Sequence, residues 1–197
     1  MDAYYINLDH RTDRKLEIEN ELAKLNLPAT RFPGVVHSYG PVGCILAHLG
    51  VLKAARERNL PKVMIFEDDF QLIVTPEEFW KCIDAVEPCE VFLFTFMADT
   101  VVRCGTSFRS FDAIGPCGYI VYAHFYDTLI DLYETNAKLL EQTHHHWLYM
   151  NDQCWKPLQK THRFYVAYPS LGKQRDGYSD NAKAHVTYRF QPLLTDS

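Results

Sequence analysis

The sequence predicts an α/β fold: a single domain with a mainly parallel central sheet flanked by helices. Three observations lead there. Apolar strand-like runs alternate with amphipathic helix-like segments three times within the first 90 residues, the pattern of a sheet covered on its faces by helices. The run Val63-Met64-Ile65-Phe66 is continuously apolar and ends abruptly in Glu67-Asp68-Asp69, as expected of a strand buried on both faces. The chain of 197 residues, 47% of them apolar, is long enough for one sizeable core but short for two full domains.

Ala3-Tyr4-Tyr5-Ile6-Asn7-Leu8 reads as the first buried strand. A charged helix over 13–25 follows, with Leu16, Leu22 and Leu25 as its apolar positions. Pro28 closes that unit, and 30–36 forms a second short strand. Gly40-Pro41-Val42-Gly43 introduces a helix over 43–59 whose Leu46, Leu49 and Leu52 share a face, with Val51 and Ala55 beside it. Leu60-Pro61 returns the chain to the acid-ended strand. Pro76, Glu77 and Glu78 start a helix running to 83, since a first-turn proline and acidic side chains suit a helix N-terminus. Residues 91–96 form another buried strand, 99–118 read as irregular, 118–122 as strand, and 125–140 as an amphipathic helix. In such sheets ligands gather beyond the carboxyl ends of the strands, where 7–14 and 67–69 both fall.

A net charge of −5 and a pI near 6.0 leave no basic face for a nucleic-acid backbone. No apolar stretch approaches the roughly 20 residues that span a bilayer, and the N-terminus lacks the charged and apolar regions of a signal peptide. The expectation is a cytoplasmic protein without a membrane span. Six cysteines are scattered without Cys-x-x-Cys spacing, so reduced and mostly buried thiols are expected rather than a zinc ribbon or disulfides.

Three adjacent carboxylates at a strand end repel one another and are best tolerated where water or a cation screens them. Glu67-Asp68-Asp69 is therefore either a solvated acidic turn or the seat of a hard cation, Mn²⁺ or Mg²⁺, which prefers oxygen ligands and shares them with substrate phosphates. Arg11 and Arg14 follow the first strand; each either clamps a phosphate with its planar fork of donors or is a solvated residue of a helix start. His144-His145-His146 is read as a polar connection, because consecutive side chains point in different directions and rarely share one ion.

Tyr5-Ile6-Asn7-Leu8-Asp9-His10-Arg11-Thr12-Asp13-Arg14, then Gly43-Cys44-Ile45-Leu46-Ala47-His48, then Ile65-Phe66-Glu67-Asp68-Asp69, then Gly118-Tyr119-Ile120-Val121 resemble the ordered motifs of glycosyltransferase family 25, the lipooligosaccharide and collagen galactosyltransferases. The resemblance extends over roughly residues 3–170. It implies a GT-A-like, Rossmann-like fold, a UDP-sugar donor, Mn²⁺ or Mg²⁺, and transfer of a hexose with inversion to a hydroxyl of a glycan, a lipid-linked saccharide or a protein.

On that footing Glu67-x-Asp69 matches the Asp-x-Asp motif of such folds. Asp69 becomes the strongest metal contact, while Glu67 and Asp68 reach the metal through water or touch the ribose. Glu at the first position departs from the commoner Asp and puts direct ligation by Glu67 in doubt. Asn7 and Leu8 shape the base pocket. Gly43 and His48 fall in the nucleotide-binding motif, although His48 reads equally as a hydrogen-bonded core histidine; Lys53 is a weaker version of the same expectation. Asp152 is the candidate base for the acceptor hydroxyl, or else an N-cap with Asn151. Residues 172–181 read as a mobile loop closing over the donor, within a tail from about 171 that serves as a lid. Lys173 or Arg175 would then reach the diphosphate, and His185 would be a third metal ligand. Two other readings remain: a non-catalytic module that binds sugar nucleotides or glycans, and a metal-dependent phosphohydrolase. A haloacid-dehalogenase-like phosphatase would carry Asp-x-Asp-x-Thr at its first strand, which this chain does not.

Overall fold

The computed structural model describes residues 1–180 and 183–188. Strand β1 (Ala3–Asn7) leads through helix α1 (Thr12–Lys24) to β2 (Thr30–Pro33), and helix α2 (Gly40–Glu57) returns the chain to β3 (Lys62–Glu67). Helix α2 begins three residues before the expected start, because Pro41 occupies the first turn, where its fixed φ suits a helix and its missing N–H costs nothing. In α1 the buried stripe is Ile18, Leu22 and Leu25, while Leu16 points to solvent.

A short strand β4 (Phe70–Leu72) precedes α3 (Pro76–Ala85), whose start is fixed by a capping box between Thr75 and Glu78. After β5 (Val91–Leu93), the segment expected to be irregular instead forms a hairpin of β6 (Val101–Cys104) and β7 (Ser107–Ser110). It turns at Gly105, whose φ of +59° is left-handed. These strands are short and partly exposed, and so lack the continuous apolar run that marks a buried strand. Strand β8 (Gly118–Tyr122) and helix α4 (Tyr126–Thr143) follow. Three single-turn helices come next, α5 (His146–Tyr149), α6 (Asn151–Cys154) and α7 (Lys156–Gln159), then β9 (Phe164–Val166).

Among the described residues the main sheet has eight strands in the order β2-β1-β3-β8-β5-β9-β7-β6. Only β8 and β7 run against the rest, so the sheet is mostly parallel in direction. Side chains alternate between two buried faces. Tyr4, Val63, Ile65, Val91, Leu93, Tyr119 and Val121 pack under α2, α4 and Trp155. Tyr5, Met64, Phe66, Phe92 and Ile120 pack under Ile18 and Leu22 of α1 and Phe79 and Ile83 of α3. This period-two division gives three layers, α/β/α, with helices on both faces.

The tail departs from expectation. Strand β10 (Gly172–Gln174) pairs antiparallel with β4, and β11 (Gly177–Ser179) pairs with β12 (Ala184–Val186). Residues 172–180 are therefore a strand-paired arm rather than a free loop; Asn181 of the expected loop, and 182 and 189–197 of the tail, lie outside the described residues. Among the described residues no helix is long and apolar enough to cross a membrane. The cysteines are free, with Cys89, Cys117 and Cys154 buried and the others half-buried.

Candidate functional site

Parallel strands β1 and β3 end side by side, with Ile6 opposite Glu67, and a cleft of about 450 Å³ opens beyond them. Its walls come from the exit of β1, the turn at 34–38, the first turns of α2, the acid triplet, the Gly115-Pro116 turn, the start of α6 and the β11–β12 arm. Two glycines let the backbone close this wall. A Cβ on Gly43 would stand 2.2 Å from the Val35 carbonyl oxygen, and one on Gly34 would stand 2.9 Å from the Leu8 side chain.

The acids differ sharply from one another. Asp68 is 8% exposed; it accepts from Asn7 Nδ2 at 2.8 Å and Arg14 Nη1 at 2.9 Å. Burial pushes its carboxyl up, against the pull of those two partners. Asp69 is 5% exposed. Its Oδ2 accepts from Gln174 at 3.0 Å and Arg14 at 3.4 Å, while its Oδ1 is buried with no hydrogen-bond partner among the described residues. Burial, with the charge of Glu67 adding to it, pushes Asp69 up to about 7. The triplet is thus largely withdrawn from water, which removes the solvated-turn reading.

Glu67 turns toward α2. His48, 1% exposed, faces Glu67 Oε1 with Nε2 at 3.1 Å and the Tyr119 hydroxyl with Nδ1 at 2.7 Å. Cys44 stands one turn earlier on α2, with Sγ 3.9 Å from Asn151 Oδ1. Burial raises its thiol first of all, and the charges of Glu67, Asp152, Asp69 and Asp68 all add to this. Asp152 is not an N-cap. It sits in the first turn of α6, capped by Met150, and its Oδ2 accepts from the Gly115 N–H at 2.8 Å. Its Oδ1 is buried without a partner among the described residues, and burial raises its pKa.

Of the residues singled out from the sequence, Asn7, Leu8, Arg14, Gly43, His48, Glu67, Asp68, Asp69 and Asp152 all line this cleft. The others do not. Arg11 pairs with Asp13 and Asp180, and Lys53 pairs with Glu134 at 2.6 Å. Arg175 is held by Glu21 at 3.1 Å and Glu17 at 3.4 Å against α1. Lys173 lies on β10 opposite Gln71, outside the cleft wall. His185 is exposed on β12 with its ring on Tyr178 and is not among the residues lining the cleft. The histidine run packs on Tyr39 and Trp147 rather than on the acids: Tyr39 donates to the His144 carbonyl, and His145 lies against Trp147.

Lys183 and Tyr188 in the arm, Gln174, and Cys44 also line the cleft and were not singled out. Nothing in the sequence separates Lys183 from Lys173, since the way the tail folds back decides which lysine borders the cleft. Arg31 was missed as well. It grips Asn7 through Oδ1 at 3.0 Å and the backbone carbonyl at 2.9 Å, fixing the amide that holds Asp68.

No family model matches the sequence, and neither does any curated protein. Among solved structures the chain is similar to a glycosyltransferase involved in the glycosylation of the major capsid of PBCV-1, with a TM-score of 0.53 and 9% identity over 84% of this chain and 80% of that one. The fold is GT-A-like. A197 from STIV aligns over 100% of this chain and 98% of its own at a TM-score of 0.49 and 9% identity. The glycosyltransferase GlyE of Streptococcus pneumoniae TIGR4 aligns at 0.46 and 7% identity over 84% of this chain and 44% of its own. At 9% identity the first of these likenesses establishes the fold alone.

Proposed function

We propose that the protein is a metal-dependent inverting glycosyltransferase of the family 25 type, moving a hexose from a UDP-sugar to a hydroxyl of a glycan, a lipid-linked saccharide or a protein. One observation carries this reading. In a single cleft at the carboxyl end of a GT-A-like sheet, two carboxylates from different elements, Asp69 and Asp152, each present a buried oxygen without a partner among the described residues. Buried polar atoms are seldom left unpaired, and a donor–metal complex and an acceptor hydroxyl would satisfy one each.

The residues present suit a hard cation: Asp69 Oδ1 is available, and Glu67 and Asp68 stand beside it. Bound there, Mn²⁺ or Mg²⁺ would neutralise the charge that grows on the departing diphosphate. The chain's own groups do the rest. Asn7, fixed by Arg31, and Leu8 receive the nucleoside at the exit of β1. Arg14, whose Nη1 spans Asp68 and Asp69, is the positive donor in the cleft wall placed to meet a phosphate oxygen. Asp152 takes the proton of the acceptor hydroxyl as its oxygen attacks the anomeric carbon opposite the diphosphate, so the configuration inverts. Burial raises the pKa of Asp152, which makes its carboxylate a stronger base than an exposed one.

The test is a thermal-shift screen of UDP, GDP, CDP and ADP with and without Mn²⁺, followed by transfer assays with the sugar nucleotides of whichever base binds. UDP is expected to raise the melting temperature, more so with the metal, since a ligand of the native state stabilises it. If none of these nucleotides shifts the transition, the transferase reading fails.

A further inference from the structure

Cys44 and His48 are four residues apart on α2 and therefore share one face of that helix. Glu67 reaches the same point from the end of β3. One ligand atom from each, the thiol sulfur, an imidazole nitrogen and a carboxylate oxygen, all lie within 4.8 Å of one another. We propose that Cys44, His48 and Glu67 form a site for a thiophilic divalent cation of the Zn²⁺ class, separate in chemistry from the hard-cation seat at Asp69.

The donor set argues for this choice. Sulfur and imidazole ligands favour Zn²⁺ over Mg²⁺ or Mn²⁺, and three protein ligands leave a fourth tetrahedral position open. That position faces the cleft, because all three residues line it. The imidazole is also held for the task. Histidines that ligate metals almost always engage their other ring nitrogen in a hydrogen bond, and His48 Nδ1 stands 2.7 Å from the Tyr119 hydroxyl, itself fully buried. Metal binding moves the ring's single proton from Nε2, where it faces the Glu67 carboxylate, to Nδ1, where the Tyr119 oxygen accepts it once that hydroxyl turns, and the freed Nε2 lone pair points at the ion. Cys44 releases its thiol proton to water on binding, and Asn151, which accepts from that thiol at 3.9 Å, is freed.

Glu67 is common to this cluster and to the acid triplet, so an ion bound at Cys44 and His48 would hold Glu67 on the α2 side, where it already faces His48. Binding of the soft cation nevertheless stands apart from the transferase reading, since its test needs neither donor nor turnover.

The experiment is titration of the metal-free full chain with Co²⁺, followed by displacement with Zn²⁺. The expected result is one equivalent bound with a thiolate-to-cobalt charge-transfer band in the near ultraviolet, lost in Cys44→Ser and kept in Cys82→Ser and in Asp69→Asn. X-ray absorption of the zinc-loaded wild type, which depends on no variant, should show one sulfur at about 2.3 Å together with nitrogen and oxygen at about 2.0–2.2 Å. Absence of the thiolate band, its survival in Cys44→Ser, its loss in Asp69→Asn, or a zinc shell without sulfur would each overturn the proposal.

Discussion

Asp152 rests one carboxylate oxygen on the Gly115 amide and leaves the other free of partners among the described residues. An asparagine there keeps an oxygen for the Gly115 N–H and loses only the ability to take a proton. Asp152→Asn should therefore lower kcat by about 10²–10⁴-fold while donor affinity stays within a few-fold, as read by steady-state kinetics beside calorimetry. Unchanged turnover would remove Asp152 from the chemistry. At this scale the sequence was legible where a residue's place follows from the end of its own strand: Asn7, Glu67, Asp68 and Asp69 are fixed by β1 and β3. It was silent where a distant partner decides. Arg175 is claimed by Glu21, Lys53 by Glu134 and Arg11 by Asp180, and none of these pairs is visible in local spacing.

Helix α2 contributes a wall of the cleft because its first turn can approach the 34–38 turn closely, and Gly43 is the residue that permits this. A methyl group at 2.2 Å from the Val35 carbonyl cannot be absorbed by a rotamer change, since the atom it meets is backbone. Gly43→Ala is expected to cost about 1–3 kcal/mol in denaturant unfolding and to weaken nucleotide binding by moving that wall. A variant as stable as the wild type, with equal affinity, would show that the approach is dispensable. Helices α1 to α4 were legible because each carries a buried stripe of helical period. The β6–β7 hairpin and the β10 to β12 arm were not. Strands of three or four residues with exposed positions carry too little pattern, and their pairing partners, β9 and β4, lie far away in sequence.

For the whole molecule the three-layer architecture follows from strand–helix alternation, but the insertion of β8 against the run of β3 and β5 does not. Direction in a sheet is set by where a connection returns, not by the composition of the strand. Gathering carboxylates from β3 and α6 into one half-dry cleft has a cost with a definite pH signature. Asp69 is raised from 3.8 to about 7, and Asp68 and Asp152 are raised as well. Between those pH values the folded chain holds more protons than the unfolded one, so this contribution to stability is present in acid and is lost as pH rises from about 4 to about 7. In a chelating buffer, Asp69→Asn should lessen that fall in melting temperature relative to wild type. Identical pH profiles would mean that Asp69 bears no such cost.

The central claim places a cation on Asp69 and a nucleoside diphosphate at the exit of β1, and a crystal grown or soaked with Mn²⁺ and UDP tests it most directly. The expected result is anomalous density for manganese about 2.0–2.3 Å from an Asp69 carboxylate oxygen, bridging to the diphosphate, with uracil beside Asn7 and Leu8. Manganese and nucleotide bound away from that edge of the sheet would contradict it.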